Sequence, residues 1–132
     1  MTVWNVLAAA AASWVFGLIW YRAFAERRAP LAKTAASATG KPVGVASLGI
    51  AILSALVLIV AAGFLRHIYY VSGLTSGVPL GLVAGMGVGL YFIAPWMWMT
   101  HLADGRPFRL TLIDGGFATL ATAIMGALLV AF

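Results

Sequence analysis

Four apolar stretches, each long enough to cross a bilayer and joined by short polar connections, constrain this 132-residue chain more than any motif in it. An α-helix rises 1.5 Å per residue, so about 20 apolar residues are needed to cross about 30 Å of hydrocarbon. Windows of that kind run over residues 3–24, 43–65, 77–102 and 108–131. Helices are the expected form, because each satisfies its own backbone hydrogen bonds in lipid and the runs lack the alternation of barrel strands. Composition agrees: 64% of residues are apolar, 8% are charged and the mean hydropathy is +1.06, outside the range of water-soluble domains. The expectation is an all-α, integral membrane four-helix bundle forming a single domain over 1–132, with a hydrophilic loop at 25–42.

The charges give an orientation. Arg22, Arg27, Arg28, Lys33 and Lys41 gather around the first connection and Arg106 and Arg109 around the third, which lie on one side of a four-span chain. Basic residues accumulate on the cytoplasmic side, so that side is read as cytoplasmic and both termini as non-cytoplasmic. A secretory signal carries positive charge ahead of its apolar run, whereas here the basic residues follow it, so the first span is read as retained. The loop residues Arg27, Arg28, Lys33 and Lys41 have two readings, as a solvated connection or as a lipid-facing basic patch that attracts anionic headgroups. Trp20, Tyr21, Trp96 and Trp98 fall near this boundary and Trp4, Tyr69 and Tyr70 near the other, as interfacial aromatics should.

Helix packing has its clearest signal in the third span. Gly73, Gly77, Gly81, Gly85 and Gly89 recur every four residues, a spacing that lets another backbone approach closely. Each rung drifts about 40° around an α-helix, so about three can face one neighbour. The expectation is that Gly77, Gly81, Gly85 and Gly89 form packing positions, within the bundle or against a partner. Pro95 removes a donor from the same span and should kink it.

Little chemistry is offered. Asp114 is an ionisable residue within an apolar span, and such residues are the default functional candidates in a membrane. It is read either as a proton or cation site or as a structural charge paired with Arg22 or Arg109. His67 and His101 invite a haem or pigment reading, each holding such a group alone, because the topology places them on opposite faces about 30 Å apart. His101 with Glu26, Asp104 and Asp114 is a weaker inner-face cation set. There are no cysteines, and nucleophile, base and orienting group do not occur together, so neither catalysis nor a resident cofactor or metal is expected. The basic loop lacks the aromatic interleaving of a nucleic-acid surface.

Trp20-Tyr21 at the end of the first span, the run Asp104-Gly105-Arg106-Pro107-Phe108, the stretch Leu112-Ile113-Asp114-Gly115-Gly116-Phe117 and Met125-Gly126 together resemble the bacterial domain-of-unknown-function family 1761. The resemblance implies a small four-span protein of the bacterial inner membrane and brings no reaction with it. Two function classes remain. The first is a non-catalytic accessory or stabilising subunit that packs against another membrane protein or itself; the alternative is a small oligomeric transporter or channel using Asp114. The orientation is tested by single-cysteine variants in intact cells: Thr2→Cys should react with an impermeant thiol reagent and Ala36→Cys should not, and the opposite pattern would invert the topology.

Overall fold

The computed structural model describes residues 3–31 and 44–131. Among these, the elements are α1 (Val3–Ala23), α2 (Ala25–Leu31), α3 (Gly44–Val71), α4 (Val78–Val88), a π-helical turn (Gly89–Ile93), α5 (Ala94–Ala103) and α6 (Phe108–Ala131). Four helical runs are long and apolar enough to cross a membrane: Val3–Ala23, Leu48–Val71, Val78–Ala103 and Phe108–Ala131. The chain is therefore a multi-pass, all-α membrane protein. The helix of the second run continues to Val71, well past the expected limit at 65, so Arg66, His67, Tyr69 and Tyr70 ride on its last turns. The first part of the expected 25–42 loop is the short helix α2, while Lys33 and Lys41 lie outside the described residues.

α6 is the axis of the bundle. Of its apolar window 61% is buried, against 11% for α3, and α1, α4 and α5 all pack on it. Its contact with α4 is the closest. A Cβ added at Gly81 or Gly89 would stand 2.6 Å and 2.7 Å from the carbonyl oxygens of Gly126 and Ala118, and one at Gly85 would strike the carbonyl of Thr122. The rungs facing α6 are thus Gly81, Gly85 and Gly89. Gly77 and Gly73 are not rungs, although they continue the spacing: their φ values are +98° and +77°, a left-handed backbone that cannot lie inside an α-helix. Gly77 caps the start of α4. Gly73 ends α3 in a Schellman motif, with its own N–H on the Tyr70 carbonyl at 3.2 Å and the Leu74 N–H on that of Tyr69 at 2.9 Å. Gly105, at φ +70°, closes α5 in the same way, with Arg106 N–H on the His101 carbonyl at 2.8 Å. Gly87 does not meet another helix either; the nearest atom to its added Cβ belongs to Tyr91 of its own turn, at 3.9 Å.

Pro95 is accommodated by the π-helical turn just before it, where the Ala94 N–H reaches back five residues to the Gly89 carbonyl. At 100° per residue Ala94 would lie about 140° around the helix from Gly89. The additional residue in the π turn returns it towards α6, where Ala94 Cβ lies 3.1 Å from the position of a Cβ on Gly115. One face of the third span therefore stays on α6 from Gly81 to His101.

The other helices are tied to α6 and to each other by side chains that bond backbone carbonyls. Ser13 Oγ donates to Ala121 at 3.1 Å, Trp20 Nε1 to Ile113 at 2.9 Å and Tyr69 Oη to Gly81 at 2.6 Å. Trp14, the mid-span indole, donates to Ala51 of α3 at 3.3 Å. The apolar core of Val6, Ala9 and Ala10, then Ala62, Leu65 and Tyr69, then Met125, Leu129 and Val130 joins α1, α3 and α6 at the end of the bundle away from α2. Glycine position on α4 should decide tolerance to bulk. Gly85→Leu should prevent folding or cost more than about 3 kcal/mol, the upper end for an overpacked interior, while Gly87→Leu should stay within about 0.5 kcal/mol, as read by denaturation in mild detergent.

Candidate functional site

Asp114 lies where α1, α2, α5 and α6 converge, with only 6% of its surface exposed. An unpaired carboxylate in such a place would cost several kcal/mol, so its partners define the site. Arg28 grips it with two parallel bonds, Nε to Oδ1 at 2.9 Å and Nη2 to Oδ2 at 3.2 Å. Tyr21 donates its hydroxyl to Oδ1 at 3.0 Å, and the Arg28 guanidinium sits 5.3 Å from the Tyr21 ring centre. His101 stands on the other side, Nε2 3.7 Å from Oδ2, with Nδ1 2.7 Å from the Thr111 hydroxyl. The hydrogen bond to Asp114 raises the pKa of Arg28 from its ordinary value and outweighs the opposing effect of partial burial.

Local structure explains how these groups meet. The Phe24 N–H bonds the Trp20 carbonyl at 3.0 Å and the Arg28 N–H bonds the Phe24 carbonyl at 2.8 Å, so helical bonding carries across the break between α1 and α2. Tyr21 and Arg28, seven residues and two turns apart, consequently share a face. On α6, Gly115 faces Ala94 of α5 and Gly116 faces Trp20 of α1, and a Cβ added at either would stand 3.1 Å from its neighbour, tighter than ordinary packing. The pair of glycines beside Asp114 thus lets both neighbouring helices close upon it. Aromatic rings wall the site: Phe117 lies 5.2 Å from Tyr21 and 6.0 Å from Phe16, and Trp20 lies 4.6 Å from Phe24.

The charge pairing differs from the expected one. Arg22 follows Tyr21 by one residue, about 100° around the helix, and is exposed. Arg109 precedes Asp114 by five residues, about 140° around α6, and is exposed too. Neither is the partner of Asp114; that residue is Arg28, which the sequence had placed among the lipid-facing or solvated loop charges. Arg27, next to it, does lie exposed. The seven-residue spacing from Tyr21 to Arg28 was the available signal, masked by treating everything after residue 24 as loop. Of the set Glu26, His101, Asp104 and Asp114, only His101 comes to the carboxylate, and no three His, Asp or Glu among the described residues form a group that could hold a metal. His67 belongs to the other end of the molecule, beside a cavity of about 370 Å³ lined by Gly63, Arg66, Tyr70 and Thr75.

The residues that build this site, Trp20-Tyr21 and the stretch from Leu112 to Phe117, are among those that carried the family resemblance. A family model described as "Protein of unknown function (DUF1761)" matches residues 4–130, nearly the whole chain. The chain belongs to this family. Comparison with the curated proteins and with the solved structures finds no match. DUF1761 thus brings membership without a reaction, and the chemistry has to be read from the site. Arg28→Ala should destabilise the protein by about 3 kcal/mol, the lower end for a broken buried ion pair because Arg28 is partly exposed. Arg22→Ala and Arg109→Ala should each change stability by less than about 0.5 kcal/mol in the same detergent titration.

Proposed function

We propose that this DUF1761 protein is a non-catalytic helical subunit that packs against and stabilises a larger membrane assembly, with both termini on the non-cytoplasmic side of the bacterial inner membrane. The carrying observation is the state of Asp114. A carboxylate held by two guanidinium nitrogens and a tyrosine hydroxyl serves to fasten α2 and α1 to α6, and three of its acceptor positions are committed to that task. Ser13, Trp20, Tyr69 and Thr122 likewise spend their donors on backbone carbonyls, so the polar side chains of the spans act as fasteners. Meanwhile α3 and the α4–α5 run leave broad apolar faces outward, with Leu53, Val57, Val60 and Phe64 on one and Leu80, Tyr91 and Phe92 on the other. Such faces suit lateral contact with a partner helix as well as with lipid.

A second reading rests on His101. Its imidazole is hydrogen-bonded to the Thr111 hydroxyl and stands 3.7 Å from Asp114 Oδ2, and a histidine beside a buried carboxylate is the kind of pair through which protons pass in membrane carriers. Isolation in mild detergent from its native membrane separates the two. A stoichiometric larger partner, lost in variants bearing Val60→Trp or Phe92→Ala without loss of helix content, is the expected result. A homo-oligomer that moves protons in liposomes, and stops doing so in His101→Gln, would replace it with the carrier reading.

A further inference from the structure

The bundle is tight at one end and open at the other. Where the apolar core joins α1, α3 and α6, Ala62, Leu65 and Tyr69 of α3 are buried. Towards the basic end, no α3 residue from Leu48 to Ala61 is buried, and an added Cβ at Gly49 would touch nothing within 4 Å. The wedge between α1 and α3 is a groove of about 640 Å³ with Trp14, Gly17, Leu53 and Val57 along its sides, Phe117 of α6 in its lining and Arg22 at its basic end. From Trp14 to Ala25 the groove follows eleven residues, about 16 Å of helix, or about half the hydrocarbon thickness. One acyl chain reaches that far from one leaflet's headgroups.

We propose that this groove holds an acyl chain of an anionic phospholipid whose phosphate is met by Arg22. Three features favour this occupant over a protein helix. The groove ends near mid-membrane, at Trp14 on α1 and Leu58 on α3, where a crossing helix would have to continue. Its walls are mainly apolar, the Ser54 hydroxyl being bonded to the Ile50 carbonyl of its own helix, and the charge stands at the headgroup level, where Arg22 is exposed and takes no part in the Asp114 cluster. The adjoining face of α3 is open to the bilayer, with Leu53 and Val57 exposed, so a lipid can enter from the side. Glu26 lies one turn beyond Arg22 and trims the local charge, while Arg27 keeps the rim net positive. This site goes beyond the proposed subunit role and does not depend on it.

The test is native mass spectrometry of the full chain in mild detergent, supplied with equal amounts of phosphatidylglycerol and phosphatidylcholine bearing the same acyl chains. The wild type should retain one phosphatidylglycerol in preference to phosphatidylcholine. Arg22→Gln, an exposed change, should reduce that preference about fivefold, the worth of one basic residue near an anionic headgroup. Ser54→Trp, which fills the groove and keeps Arg22, should reduce retention of both lipids; Leu53→Trp does the same from an exposed position if the first variant fails to fold. Equal retention of the two headgroups by the wild type, or an unaltered preference in Arg22→Gln, overturns the proposal. So does a groove-filling variant that loses a dimer of this chain and keeps its lipid.

Discussion

Helices already in hydrocarbon gain little by hiding apolar side chains from one another, since lipid tails serve as well, and association depends on how closely the backbones can approach. Here that approach is concentrated between α4 and α6, where Gly81, Gly85 and Gly89 leave no room for a Cβ against Gly126, Thr122 and Ala118. Much else follows from it. With one face of α6 taken by bare backbone, its other faces are left to α1, through Ser13 and Phe117, and to α3 through Tyr69, whose hydroxyl reaches past Gly126 to the Gly81 carbonyl. The most buried helix is accordingly the one that the glycines of α4 meet.

Two kinds of force divide the molecule lengthwise. Away from α2, dispersion contacts among small and aliphatic residues hold three helices in one core. At the basic end, charge and aromatic contacts take over: Arg28 and Tyr21 on Asp114, with Trp20, Phe24 and Phe117 around them. Placing the ion pair at this end keeps the guanidinium partly exposed, which lowers the desolvation cost that a pair at mid-membrane would carry.

Hydropathy alone was enough to read the class and the four spans, because length and apolarity are properties of each segment by itself. The glycine spacing pointed to the packed helix, but it could not tell Gly81 from Gly77, whose left-handed backbone is set by the turn it starts rather than by its place in the series. Asp114 stood out by its burial cost, while its partner did not. Arg22 and Arg109 are nearer the span ends in sequence, and only the helical continuation through Phe24 brings Arg28 into reach. The groove beside α3 had no signature at all, since it arises from the divergence of two helices and not from any residue in them.

The π-helical turn has a bearing on how this chain tolerates change in length. It holds one residue more than an α-helical turn would, and that surplus keeps the glycine contacts at one end and His101 at the other on the same side of the third span. The two ends of the molecule are thereby phased to each other like cams on one shaft. Deleting a residue within Gly89–Ile93 would regularise the helix while rotating everything beyond it by about 100°. The segment whose hydrogen bonding is least regular is therefore the one whose length the fold can least afford to alter, whereas the connections at Gly73–Gly77 and Asp104–Pro107 touch this phasing only at their edges.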